Sequence, residues 1–192
     1  MELTGERTLS ADRGAAWTAL NDIDLLKRCI PGCEDLAALG DNRYQAVVNT
    51  AVGPVKARFK GTLELADIDA PNGYTLRFDG SGGQAGFARG QARVNLSDAT
   101  PGRTKLSYAA QAQVGGKLAQ VGSRLIDAAS GAMADKFFEA FDAQLSARTA
   151  PAGQGAGGSG DAAPQQAPAP APSKLGFWGL FWAMVKRFFR RA

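Results

Sequence analysis

The 192-residue chain contains no histidine. That removes the side chain that titrates nearest neutral pH, the commonest general acid or base and the usual partner of a nucleophilic cysteine or serine. No serine lies in a nucleophile-elbow pattern and no pair of carboxylates stands out, so the residues point to a protein that is not an enzyme. Cysteine is scarce, with only Cys29 and Cys33. Without histidine they argue against a zinc site, and the cytosolic rarity of disulfides favours two free thiols over a bridge. No motif for haem, flavin or an iron-sulfur cluster is present, so neither a metal nor a covalently held cofactor is expected. The stretch from Met1 to Ser10 has acids and no apolar core, so no secretory signal is read there and a cytoplasmic domain is expected.

What charge there is lies unevenly. The formal net charge is +4, yet residues 1–150 balance 17 basic against 17 acidic side chains. The excess sits in the last twenty residues, where Lys174, Lys186, Arg187, Arg190 and Arg191 occur with no acid. A nucleic-acid binder would carry its positive charge on the folded domain, so no nucleic-acid partner is expected. Composition divides the chain into a globular domain over 1–147, an Ala/Pro/Gly-rich flexible linker over 148–172, and a tail over 173–192.

Along the domain, Glu2 to Ser10 alternates loosely as a strand with one solvated face. Ser10 and Asp12 are helix caps for a segment over roughly 11–21. A second short helix through Ile23, Leu25, Leu26 and Cys29 is stopped by Pro31-Gly32. From Arg43 onward, alternating runs broken by turn residues read as an antiparallel meander: Tyr44 to Val52, Val55 to Ile68, Tyr74 to Phe78, Phe87 to Leu96 and Thr104 to Val114. The phase becomes helical after Gly115-Gly116. Leu118, Val121, Leu125, Ile126, Ala129, Met133, Phe137 and Phe141 predict one long helix from Lys117 to about Ser146, about 45 Å in length. Its first half is poor in side-chain volume, so either the sheet approaches closely there or a space is left. The glycines between Gly80 and Gly86 lie between two strands rather than before a helix, which excludes a phosphate-binding loop and leaves a plain turn or a mobile hairpin.

The tail is apolar only from Leu175 to Val185, about 16 Å of helix against a hydrocarbon core of about 30 Å, so it does not span a bilayer. On a helical wheel Phe177, Trp178, Leu180, Phe181, Trp182, Met184, Val185, Phe188 and Phe189 share a broad arc. Lys186, Arg187 and Arg190 fall opposite, with Arg191 at the edge. This is the form of an interfacial helix that binds membrane lipids, with docking into a partner's groove as the alternative.

The segments Cys29-Ile30-Pro31-Gly32-Cys33, Val52-Gly53-Pro54-Val55-Lys56 through Phe59-Lys60-Gly61, Gly82-Gly83-Gln84-Ala85-Gly86-Phe87, the run Gly115 to Ile126, and Phe137-Phe138 together resemble the carbon monoxide dehydrogenase G-subunit family. That family is part of the START-like, or SRPBCC, helix-grip superfamily of hydrophobic-ligand carriers, and the similarity covers residues 1 to about 146. It implies an α+β fold: a strand, two short helices, a six-stranded meander and a long terminal helix gripped by a curved antiparallel sheet. It also implies an internal cavity, for which Trp17, Phe59, Phe78, Phe87, Leu118, Val121, Gly122, Leu125 and Met133 are candidate lining. For any one of these residues alone, core packing is the plainer reading. Polar candidates for orienting a ligand are Arg58, Gln84, Arg89, Gln91 and Gln120, with solvated surface as the plainer reading. By the same resemblance the expected partner is the carbon monoxide dehydrogenase complex, a molybdenum hydroxylase, at the cytoplasmic face of the membrane. The expected ligand is a respiratory quinone, menaquinone or ubiquinone, linking the enzyme to membrane electron transport. A recruitment factor that only anchors the enzyme, and a cyclase- or hydratase-like enzyme of the same fold, are the alternatives.

Overall fold

The computed structural model describes residues 1–149. The tail and all but the first two residues of the expected linker lie outside the described residues. Strand β1 (Glu2–Leu9) leads into α1 (Arg13–Leu20) and α2 (Ile23–Cys29). Six further strands follow: β2 (Cys33–Gly40), β3 (Arg43–Val52), β4 (Val55–Asp69), β5 (Gly73–Ser81), β6 (Phe87–Thr100) and β7 (Arg103–Gly115). A 3-10 turn at Gly83–Ala85 joins β5 to β6, and α3 (Lys117–Gln120) and α4 (Ser123–Thr149) end the domain. The seven strands form one antiparallel sheet in the order β1-β7-β6-β5-β4-β3-β2. Only the β1–β7 pairing closes over a long stretch of sequence, and it brings the first strand beside the last.

The two short helices start where carboxylates meet free backbone N–H groups. Asp12 accepts from Ala15 N at 2.9 Å and Asp22 from Leu25 N at 3.0 Å. Each such cap is worth about 1 kcal/mol. Burial opposes ionisation of Asp22, but the Leu25 N–H and the Arg148 guanidinium, 2.8 Å away, hold its carboxyl below the usual carboxylate range.

Four details depart from the sequence expectations. Strand β2 has no alternation to betray it: Leu36 is its one fully buried residue, and the pairing with β3 slips between Cys33 and Asp35. Strand β5 runs on past Phe78 to Ser81, and Gly80 and Ser81 still pair with Gly61 and Lys60 of β4. The single long helix from Lys117 is instead two helices, because Gly122 takes φ +90°, a conformation that breaks helical propagation and that glycine adopts without a Cβ clash. At its other end α4 continues through Arg148 and Thr149, past the boundary expected at 147.

The sheet is unevenly covered. The C-terminal half of α4 buries Phe141 and Leu145 completely against Leu9, Leu25, Leu96 and Leu106. Asp142 fastens this half to the β1–α1 corner, accepting from Ser10 N at 2.7 Å and from Ser10 Oγ at 3.1 Å. The N-terminal half carries a smaller cluster, Val52, Leu118 and Ile126 with Phe59, Val114, Val121 and Ala129 packed around it. The stability of α4 therefore rests on one half. Phe141→Ala is expected to lower the unfolding free energy by about 3–5 kcal/mol, whereas Leu125→Ala, at a 42 % exposed site, should change it by less than about 1 kcal/mol. Urea titration of the two variants checks the contrast, and equal losses would contradict it.

Candidate functional site

Register sets out the concave face as rows of side chains running across the sheet. Arg7, Leu106 and Leu96 form the first row, and Gly5, Tyr108, Val94 and Tyr74 the second. Next come Leu3, Ala110, Ala92, Leu76 and Leu65, then Ala112, Gly90, Phe78, Leu63 and Tyr44. The last is Val114, Ala88, Gly80, Gly61 and Ala46. Side chains thus shrink toward the end where α4 begins. The small residues from Ala92 to Gly61 are only half-buried, so the helix does not press down on them.

Where the face is built of larger residues it encloses a pocket of about 250 Å³. Leu20, Asn21, Ile23, Leu26 and Ile30 bound it from the α1–α2 side, and Phe137 and Phe138 from α4. Leu36, Tyr44, Leu63, Leu65, Tyr74, Leu76, Val94 and Leu106 come from the sheet. At about 30 Å³ per water this is room for roughly eight waters, just under the range of about 300–1,000 Å³ usual for ligand sites. Aromatic contacts stiffen the α4 wall. Phe138 stacks on Tyr108 with centroids 5.3 Å apart, meets Phe137 edge-on at 5.1 Å, and lies under the Arg7 guanidinium at 5.7 Å. Arg7 in turn is ion-paired with Asp135.

The polar side chains of the lining are Asn21, Tyr44 and Tyr74. Asn21 already donates from Nδ2 to the Trp17 carbonyl at 2.8 Å. Neither tyrosine hydroxyl has a hydrogen-bond partner among the described residues, and no fully buried polar side-chain atom there is left unpaired, so neither hydroxyl is wholly closed off from water; both residues line the pocket. Burial pushes Tyr74 up to about 12, with the nearby Tyr44 adding to the effect, and burial raises Tyr44 as well. Both phenols stay protonated near neutral pH and remain hydrogen-bond donors. The lining thus offers donors to a carbonyl or ether oxygen and otherwise apolar wall.

None of the nine cavity candidates read from the sequence lines this pocket. Trp17 backs it, its ring set edge-on to Tyr74 at 5.8 Å. Phe78 shares the concave face one step beyond Leu76. Phe59, Leu118 and Val121 belong to the smaller apolar cluster near the start of α4. Gly122 and Leu125 lie along an open hollow at the α3–α4 break. Phe87 is 39 % exposed at the start of β6, and Met133 meets β3 through Thr50, whose hydroxyl points at its sulfur from 3.5 Å. The polar candidates Arg58, Gln84, Arg89, Gln91 and Gln120 are all exposed. Arg58 pairs with Glu34 at 2.6 Å, and Arg89 lies over the Phe87 ring at 5.3 Å. Cys29 and Cys33 are free thiols, both held protonated by burial. The tyrosines were missed because each sits in a strand alternation that reads as ordinary half-buried β-structure.

This arrangement of sheet, helix and pocket can be set beside known proteins. The family model described as the G subunit of carbon monoxide dehydrogenase (CoxG) matches residues 5–146. The chain belongs to the CoxG family. A conserved protein from Geobacillus kaustophilus has 28 % identity and a TM-score of 0.73, covering 77 % of this chain and 96 % of its own. A START superfamily protein from Mycobacterium smegmatis aligns with TM-score 0.61 at 10 % identity, over 77 % of this chain and 99 % of its own. An aromatase/cyclase from Streptomyces sp. R1128 aligns with TM-score 0.60 at 11 % identity, over 80 % and 98 %. At such low identity these last two show the fold alone, which is START-like. No curated protein matches the sequence.

In the CoxG-family pocket the tyrosine environment has a measurable consequence. A phenol that ionises later in the folded state than near pH 10 in the unfolded chain binds its proton more tightly when folded. Its stabilisation is complete below about pH 10 and is lost as pH rises toward about 12. Phenolate absorbance should show Tyr74 titrating near 12, and Tyr74→Phe should remove that alkaline loss of stability. A normal titration of Tyr74 would show that the pocket does not bury it.

Proposed function

We propose that this CoxG-family domain holds the ring of a small hydrophobic molecule, an isoprenoid quinone, and serves carbon monoxide dehydrogenase at the cytoplasmic face of the membrane. The observation that carries the reading is the apolar pocket with two donor-capable tyrosine hydroxyls and no partner for either among the described residues. Quinone carbonyls accept hydrogen bonds, and the remaining wall suits an apolar ring. The pocket volume takes a ring and the start of a side chain, and the small-residue rows beyond Leu76 offer a path for the rest.

A bound quinone supplies the redox chemistry, since it accepts two electrons and two protons. The chain's own part is to exclude water with Leu63, Leu65, Leu76, Phe137 and Phe138, and to orient the ring with Tyr44 and Tyr74. Among the described residues the lining holds no carboxylate, lysine, arginine or cysteine, which supports a non-catalytic role over a cyclase-like one. No described helix is long and apolar enough to cross a membrane. Attachment falls instead to the amphipathic tail, Phe177 to Arg191, in which each cation near an anionic leaflet contributes about 1 kcal/mol. The modest pocket size favours a second reading, in which the domain docks the dehydrogenase and the tail tethers both without ligand transfer.

Extraction of the purified full-length protein followed by mass spectrometry is expected to find a quinone near one per chain. Tyr74→Phe should weaken quinone binding about 2- to 10-fold, the range of one net hydrogen bond, and Leu76→Trp should abolish it while the circular dichroism stays unchanged. An empty wild-type domain that still recruits the dehydrogenase to membranes would replace the carrier reading with the tether. Deletion of residues 173–192 should release the protein from membranes, and retention would reject the tail as the anchor.

A further inference from the structure

The net neutrality of the domain hides a division of charge between the two ends of the sheet. At the end where α4 begins, three connections come together: the β3–β4 hairpin over 51–56, the 3-10 turn and the start of β6 over 81–89, and the β7–α4 junction over 115–125. Leu118 and Val121 of the junction pack with Val52 of the hairpin and Phe59 of β4. The Phe59 ring lies at van der Waals contact with Gly82, and the Leu125 side chain folds over Gly53. These three segments contain no Asp or Glu; the acids beside them are Asp79, opposite Arg89 in the β5–β6 register, and Asp127 in the first turns of α4. The segments carry Lys56, Arg89, Lys117 and Arg124, all exposed and none in an ion pair with a described residue. Between these cations Leu125 and Phe87 stand 42 % and 39 % exposed.

The turns at the opposite end are the reverse. The segments 40–43, 67–73 and 98–103 carry Asp41, Asp67, Asp69 and Asp98 against Arg43 and Arg103, and Arg13 of α1 joins them, pairing with Asp98 at 3.2 Å and donating to Asn72 at 2.8 Å. The domain therefore has a cationic, partly apolar rim at one end and a mildly acidic, partly ion-paired far end. Such a rim is complementary to an anionic bilayer, where lysine and arginine gain about 1 kcal/mol each and exposed apolar side chains enter the acyl boundary. The far end carries no net positive charge to attract the same surface, so the rim is the end that faces it.

We propose that the rim formed by residues 51–56, 81–89 and 115–125 is a second membrane contact, separate from the tail, that docks the domain on anionic lipid with this end facing the bilayer. The ligand reading gives the contact its purpose, because the small-residue rows of the concave face lead from this rim to the pocket, but the contact itself stands on the charge distribution. A lipid surface is favoured over an acidic protein because the four cations are spread over three separate segments and accompanied by the exposed apolar side chains of Leu125 and Phe87.

The test uses the full chain with Cys33→Ser and an environment-sensitive fluorophore on Gln84→Cys at the rim, or on Ala99→Cys at the far end; Cys29 is buried. With phosphatidylglycerol vesicles the rim label is expected to shift to the blue and the far-end label to stay unchanged. Phosphatidylcholine vesicles should leave both unchanged, and 0.5 M salt should reverse the shift. Lys117→Gln and Arg124→Gln should each weaken the rim docking equilibrium about 5-fold, the factor for one surface cation, and Leu125→Ser should weaken it further. These exposed sites leave the fold intact, which circular dichroism verifies. An unshifted rim label on a chain held to vesicles by its tail, equal shifts at both labels, or indifference to the two charge removals would overturn the proposal. So would a rim label that answers only to the purified dehydrogenase. None of these readouts depends on whether a quinone is bound.

Discussion

Everything in this domain depends on α4 being gripped at one end. Phe141 and Leu145 are fully buried against strands from both edges of the β1-β7-β6 half of the sheet and against α1–α2. Asp142 ties the same turn to the backbone and hydroxyl of Ser10. A buried phenylalanine and leucine together account for about 3–6 kcal/mol, a large share of the stability of an ordinary domain. With the helix secured there, its first half need not be packed tightly. The row of Gly61, Gly80 and Ala88 can stay half-covered without unfolding the protein.

The pocket follows from this asymmetry. It lies at the transition between the gripped and the loosely covered parts of the sheet, where the rows pass from leucines and tyrosines to alanines and glycines. Its apolar wall is held by interactions behind it: the Arg7–Asp135 pair and Tyr108 brace Phe138, and Trp17 braces Tyr74. Those supporting residues never touch the pocket space, yet they decide its shape. Closely packed interiors transmit such constraints because neighbouring side chains have few alternative positions.

Much of the architecture was legible in the chain. The alternation from Tyr44 to Val114 marked five strands of the meander, and Asp12 and Pro31-Gly32 marked the start and end of the two-helix segment. The residues that carry the resemblance lie within the span matched by the CoxG family. Two local features escaped. Strand β2 is Glu/Asp/Ala-rich and exposed nearly throughout, so its pairing with β3 carries no period-two signal. The break at Gly122 was hidden because Val121, Leu125 and Ile126 keep helical spacing across it, and only the backbone conformation at +90° reveals the interruption.

The pocket was the harder matter. Apolar residues at regular spacing mark a face, but they do not say which rows of that face the helix will cover. Five of the nine candidates, Leu118, Val121, Gly122, Leu125 and Met133, lie along the sparse first half of the helical segment, whereas the enclosed space lies against Phe137 and Phe138. Sequence alone determined the strand and helix periodicities, the fold family, the balanced charge of the domain and the basic, aromatic character of the tail, because each is a property of neighbouring residues. Tertiary structure alone decided that Tyr44 and Tyr74, thirty residues apart, line one cavity, and that three acid-free turns share one end of the sheet. Both depend on strand register, which joins residues distant in the chain and is set by the cooperative packing of the whole sheet against α4.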